Sequence, residues 1–290
     1  MLLDRALVRL LPAVPKPVVQ LFSSRYIAGS TLAEAVSVVR RLNAEGMRAT
    51  IDVLGEEIAH ADEARVIARS YLDVFDAIER EALNANVSVK LTALGLGLSY
   101  DLCKENLLEV LAQGRFVRID MEDSTTTDAT LRLYRELREA GHDNVGVVLQ
   151  AYLRRTLGDV RALADLRPDV RLCKGIYVEP PSLAYTDADS VRTSFVQCLD
   201  ALLESSAYVA VATHDERLIG EALKRNVPEL QMLLGVREDR ARELVAAGRR
   251  LRVYVPFGEQ WYAYSLRRLQ ESPAMATTIA RAAVGRALRF

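Results

Sequence analysis

This sequence predicts an α/β chain closed into a (β/α)8 TIM barrel, on three observations. Short β-branched runs alternate with amphipathic stretches along the chain from about residue 48. The β-branched runs are almost continuously apolar, as parallel strands covered on both faces require. No G-x-G-x-x-G follows any of them and no G-x-x-x-x-G-K-[ST] occurs anywhere, which weighs against an open doubly wound sheet.

Residues 1–47 are expected to form an N-terminal helical arm packed on the barrel, with two or three helices, Thr31–Glu45 being the clearest. The arm's apolar side comes from Leu10, Leu11, Val14, Val18, Val19, Leu21 and Phe22. Residues 48–290 form the barrel and a C-terminal helix, the whole chain being one domain. Strands are predicted at Arg48–Leu54, Asn86–Thr92, Phe116–Met121, Val145–Gln150, Val170–Cys173, Tyr208–Thr213, Leu230–Leu234 and Leu251–Val255. Amphipathic segments such as Asp62–Leu83, Thr126–Ala140, Leu157–Leu166, Ser190–Leu203, Glu216–Arg225 and Arg237–Arg249 lie between them. Asp62, Ser124, Thr156 and Asp215 are the expected helix caps, because each puts a side-chain oxygen just before an apolar-periodic stretch.

Half of the 290 residues are hydrophobic, ample for one large core. A net charge of −1 with no basic block gives nucleic-acid binding little support. Cys103, Cys173 and Cys198 show no C-x-x-C spacing and suit a reducing cytoplasm better than a disulfide framework. Asp4, Arg5 and Arg9 interrupt the first apolar run, against a signal peptide, and no stretch reaches the ~18 apolar residues of a bilayer span. The reading is a cytoplasmic protein, at most peripheral at the inner face of the membrane.

In such a barrel the chemistry sits where strands end and βα loops begin. Asp52 and Glu56 stand at the first end, Ser88 and Lys90 at the second, and Asp120, Glu122 and Asp123 at the third. Gln150 follows, then Arg171 and Lys174, then Thr213, His214 and Asp215, then Gln231, then Tyr254. Charges enclosed in a barrel must pair or meet a ligand. Lys90 and Asp120, from neighbouring strands, are natural partners, either as a structural ion pair or as part of a site. Three histidines with no H-x-x-x-H spacing make a multi-His metal site improbable, and the three acids after the third strand are a weak magnesium candidate.

Near the C-terminus Tyr264, Arg267, Arg268 and Glu271 form a Y-x-x-R-R-x-x-E run whose members share one helical face. Two adjacent guanidiniums with a phenol one turn away can clamp a carboxylate, although a solvated surface helix presents the same pattern.

Taken together, these residues resemble the FAD-dependent proline dehydrogenases, and most closely their short monofunctional bacterial form. The likeness runs from about Tyr26 to Glu271 through Asp52-Val-Leu-Gly-Glu56, Ser88-Val-Lys-Leu-Thr92, Ile119-Asp-Met-Glu122 and Gln150-Ala-Tyr152. It continues through Arg171-Leu-Cys-Lys-Gly-Ile-Tyr177, Ala212-Thr-His214, Tyr254-Val-Pro-Phe-Gly258 and Tyr264-Ser-Leu-Arg-Arg-Leu-Gln-Glu271. One departure is Ile176, where the family commonly has alanine.

The resemblance implies a distorted barrel whose last helix lies over the C-terminal mouth, turning the Tyr264 face inward. It implies that Arg267 and Arg268 clamp the carboxylate of L-proline, that Lys90 and Asp120 hold its amine side and take part in catalysis, and that Leu233, Tyr254 and Tyr264 line the ring pocket. FAD would be contacted by Gln150, Arg171, Lys174, Thr213, His214 and Glu271, with Gln231 a weaker candidate and no metal involved. The implied reaction moves a hydride from C5 of proline to N5 of the flavin, giving Δ1-pyrroline-5-carboxylate. Electrons would pass to a membrane quinone during a transient membrane encounter, and a separate pyrroline-5-carboxylate dehydrogenase would follow. Two other readings stand beside it: a Schiff-base aldolase using Lys90 or Lys174, and a non-catalytic amino-acid-binding barrel.

Overall fold

The computed structural model describes residues 25–55, 58–262 and 265. Eight parallel strands close into a barrel in chain order. They are β1 (Arg48–Val53), β2 (Ala85–Val89), β3 (Val117–Ile119), β4 (Val145–Gln150), β5 (Asp169–Cys173), β6 (Tyr208–Ala212), β7 (Glu229–Leu233) and β8 (Leu251–Phe257). The ring is sealed by β1 against β8, with Thr50 opposite Tyr254 and Asp52 opposite Pro256. The predicted barrel is therefore the observed one. The helices expected before residue 25, and the placement of the last helix over the mouth, lie outside the described residues.

Helix α1 (Leu32–Ala44) precedes the barrel. Thr31 caps it in a reciprocal box with Glu34, and Ala35, Val36, Val39 and Leu42 bury its inner face. The crossovers are α2 (Ala61–Arg80), α3 (Tyr100–Leu111), α4 (Thr127–Glu139), α5 (Thr156–Ala162), α6 (Ala188–Glu204), α7 (Glu216–Lys224) and α8 (Glu238–Ala246). The helix expected after the second strand is α3, whose buried Cys103, Asn106, Leu107, Val110 and Leu111 keep helical spacing.

The expected bounds of β4 are the observed ones, and the ends of the other strands differ from expectation by at most three residues. β3 is shorter than expected because Asp120 leaves the ladder, its N–H still donating to Val89 O at 2.8 Å. Of the expected caps only Asp215 caps its helix, accepting from Arg217 N. Asp62 lies inside the first turn of α2, where the preceding Ala59 and His60 amides are taken by Glu63. Ser124 is diverted to Glu179, and the Thr156 hydroxyl turns back to donate to Gln150 O at 2.6 Å.

Side chains facing the helices supply the apolar core, among them Ile51, Val87, Val89, Ile119, Val147, Leu172 and Val211. The other face of the strands, inside the barrel, is unusually polar. Thr50, Asp52, Ser88, Arg118, Arg171, Glu229, Gln231 and Arg252 are all buried. Bulky aliphatics normally fill such an interior, so each of these groups needs a partner.

Candidate active site

The charged groups of the lower interior pair with one another and with backbone carbonyls, while Thr50 Oγ1 and Arg118 Nε are buried without a hydrogen-bond partner among the described residues. Arg252 grips Glu229 with two nitrogens, at 2.9 and 3.1 Å, and gives a third bond to Ala49 O at 2.7 Å. Burial drives the Glu229 carboxyl upward, yet the Arg252 guanidinium outweighs it and holds the group below the usual carboxylate range. Arg118 donates to Val147 O and Asp169 O and pairs with the Asp169 carboxylate at 2.5 Å. Gly146 makes room for it, since a Cβ there would strike the guanidinium.

Toward the strands' C-terminal ends the same kind of side chains converge from five strands on one point. Asp120 Oδ1 accepts from Ser88 Oγ at 2.6 Å and from Arg171 at 2.7 Å, while Oδ2 accepts from Tyr254 Oη at 2.8 Å. Lys90 lies 3.9 Å from Asp120, but its near partner is the fully buried Asp52 at 2.7 Å. It also donates to Tyr254 Oη at 3.2 Å, so hydrogen bonds run from Lys90 to Tyr254 to Asp120. The Tyr254 ring has the Lys90 ammonium 5.9 Å and the Arg171 guanidinium 5.4 Å from its centroid.

Behind this cluster Arg171 Nε donates to Gln231 Oε1 at 2.6 Å, and Gln231 Nε2 donates to Glu229 at 2.7 Å, tying the upper group to the lower pair. Tyr71 of α2 donates to Ser88 O at 2.8 Å, and its hydroxyl sits 3.4 Å from Asp52. Complete burial, with the Asp52 charge beside it, pushes the Tyr71 phenol well up and keeps it a neutral donor.

Above the cluster opens a cavity of about 720 Å³, within the range of small-molecule sites. Of the residues singled out from the sequence, Lys90, Asp120, Gln150, Arg171, Lys174, Thr213, His214, Leu233 and Tyr254 all line it. Gln150 donates both amide hydrogens, to Met121 O and Glu122 O, leaving its buried Oε1 with no donor. His214 Nε2 accepts from Leu233 N at 3.0 Å, joining the ends of β6 and β7. Lys174 reaches Asp215 at 3.5 Å. Burial raises the Asp215 carboxyl, but Arg192 and Lys174 more than offset this and leave it lowered.

One wall is the loop after β5. Gly175 has φ +102°, and Tyr152 packs so closely that a Cβ would collide with its ring. Glu179 then clasps Ser124 through its N–H and Oγ, both at 2.7 Å, joining this loop to the one that follows Asp120. The three acids after β3 diverge: Asp120 faces the cluster, Glu122 accepts from Thr92 N and Oγ1, and Asp123 bonds Thr125. They do not converge on one point.

Tyr264, Arg267, Arg268 and Glu271 lie outside the described residues, as does Glu56. Asp52 and Ser88 are expected at strand ends, with no role assigned to them by the sequence. The register that sets Asp52 beside Ser88, with Lys90 two residues farther along β2, is what brings them to the centre.

The family model for proline dehydrogenase matches residues 35–281. The chain is 39% identical over 272 residues to proline dehydrogenase 1 of Bacillus subtilis, covering 90% of each chain. It is 36% identical over 273 residues to the proline dehydrogenase of Deinococcus radiodurans, covering 89% of this chain and 88% of that one. Among solved structures it resembles proline utilization A from Bdellovibrio bacteriovorus inactivated by N-propargylglycine, with a TM-score of 0.78 at 28% identity. That match covers 87% of this chain and 32% of the other, so the chain spans about a third of that longer protein.

Proposed function

The chain belongs to the proline dehydrogenase family, and we propose that it oxidises L-proline to Δ1-pyrroline-5-carboxylate in the cavity above Asp120, with FAD as the acceptor. The observation that carries this is the setting of Asp120. Donors from Ser88, Arg171 and Tyr254 occupy both oxygens, and Lys90 stands alongside.

The described residues fit a flavin. Gln150 offers a buried acceptor that lacks a donor, of the kind a ring N–H satisfies. Arg171, Lys174, Thr213 and His214 surround the same cavity with donors suited to an electron-rich ring and an anionic chain. When bound, FAD supplies the two-electron acceptor, N5 receiving the hydride from C5 of proline.

The chain's own residues bind and orient the substrate. Once the ring nitrogen has released its ammonium proton to solvent, loss of hydride from C5 puts positive charge back on that nitrogen, and a carboxylate already ordered by three donors stabilises it without having to reorganise. Asp120 thus serves as a fixed charge. Tyr254 and Leu233 give the ring an apolar wall, which holds the reacting carbon close and keeps water off its path. Arg267 and Arg268 remain the proposed clamp for the carboxylate. Electrons then pass to a membrane quinone during a brief encounter with the bilayer, and a separate dehydrogenase consumes the pyrroline product. The Lys90–Asp52 pair weighs against the aldolase alternative, because a Schiff-base lysine must shed its charge and this one is held at 2.7 Å by a carboxylate.

The absorbance spectrum of the purified protein tests the proposal. A flavin band that bleaches on adding L-proline is the expected result; a colourless protein, or a band indifferent to proline, overturns it.

A further inference from the structure

Each buried cation inside the described barrel has its own anion. Arg252 has Glu229, Arg171 has Asp120, Lys90 has Asp52 and Arg118 has Asp169. The first two pairs are joined through Gln231. The third is different in its setting. Asp52 is wholly inaccessible and cannot touch a ligand in the cavity, whereas Lys90 lines it. Tyr71 backs Asp52 from the helix side and holds the end of β2 through Ser88 O, so the carboxylate and the lysine share one frame.

Proline reaches the site as a zwitterion whose amine end is cationic. An ammonium as close to the cluster as Lys90 repels that end unless a neighbouring anion cancels it, and inside a protein such a charge is felt over several ångströms. We infer that Asp52 is a positioning residue for specificity: by neutralising and anchoring Lys90 it lets an amine-bearing ligand sit beside a lysine. The inference rests on the proline reading above and adds to it the reason the site discriminates for the ring nitrogen.

The prediction separates two ligands of nearly one shape, L-proline and cyclopentanecarboxylate, which lacks the nitrogen. In Asp52→Asn the surplus positive charge should raise KM for L-proline about ten-fold or more. The same change should leave the inhibition constant of cyclopentanecarboxylate unchanged or lower it, since that ligand carries only negative charge. A second comparison does not depend on the single Asn variant folding. Lys90→Met leaves Asp52 unbalanced and should shift discrimination toward proline, and adding Asp52→Asn to it should reverse that shift. Removing both members of a buried pair is tolerated better than removing one. Equal weakening of both ligands, or no reversal in the double variant, makes Asp52 a packing residue and overturns the inference. A wild-type enzyme that fails to oxidise proline instead overturns the parent reading, and this one with it.

Discussion

The two ends of this barrel use the same side chains for different ends. In the lower interior Arg252 and Glu229 spend their hydrogen bonds on each other, on Gln231 and on the Ala49 carbonyl, with almost nothing turned to solvent. At the mouth Lys90, Asp120 and Arg171 are also paired, but they pave a cavity floor and present their remaining faces to it. The contrast teaches that enclosing charge is not in itself a sign of chemistry. What marks the upper group is that ordered donors and a carboxylate border an open volume.

Breaking the lower pair should cost the most and change the chemistry least. Glu229→Gln leaves Arg252 buried without a counter-charge, which is expected to lower unfolding free energy by about 3–5 kcal/mol. Chemical denaturation measures this directly, and KM for proline in the folded fraction should stay within about three-fold, Glu229 reaching the cavity only through Gln231. At the mouth the balance reverses. Asp120→Ala should cut turnover about 10²–10³-fold, as expected for the loss of one preorganised charge. The proposed flavin should stay bound in the variant; its loss from Asp120→Ala alone would place Asp120 in the cofactor site instead.

The wall between them offers an intermediate case. Gly175→Ala forces a side chain into a left-handed backbone and against the Tyr152 ring, at about 1–3 kcal/mol. A lowered melting temperature with weaker flavin retention is the expected pair of readouts. The smallest effect concerns acid. Glu229 titrates below its unfolded value, so its contribution is complete above about pH 4.3 and is lost as pH falls through the folded value. Below that pH the wild type should lose melting temperature more steeply than Glu229→Gln, which carries no such proton site.

The barrel was legible because each strand announces itself by a β-branched run and each crossover by helical spacing, signals that lie within a few residues of one another. Asp215 was legible as a cap for the same reason. Ser124 was not, because its partner Glu179 comes from a different crossover, 55 positions away. The mouth residues could be named from their place at strand ends, but their pairing could not. Among the described residues Lys90 has two carboxylates within reach, and only the β1–β2 register and the burial of Asp52 decide that the nearer is Asp52. The polar lower interior went unmarked because Arg118, Glu229 and Arg252 sit at or near strand starts, where a charge ordinarily faces water. Glycine at position 146 was the available clue, since it clears the space for Arg118.

The seam between the first and last strands has a consequence for how the molecule comes into being. Tyr254 bridges Lys90 and Asp120 across 164 and 134 positions of chain, and it occupies that place only once β8 has zipped onto β1. Contacts so distant along the polypeptide form late, after the ordering entropy of everything between them has been met. A chain whose β8 has not closed onto β1 would hold Lys90 and Asp120 without their phenol bridge, so the assembled cluster requires the closed ring.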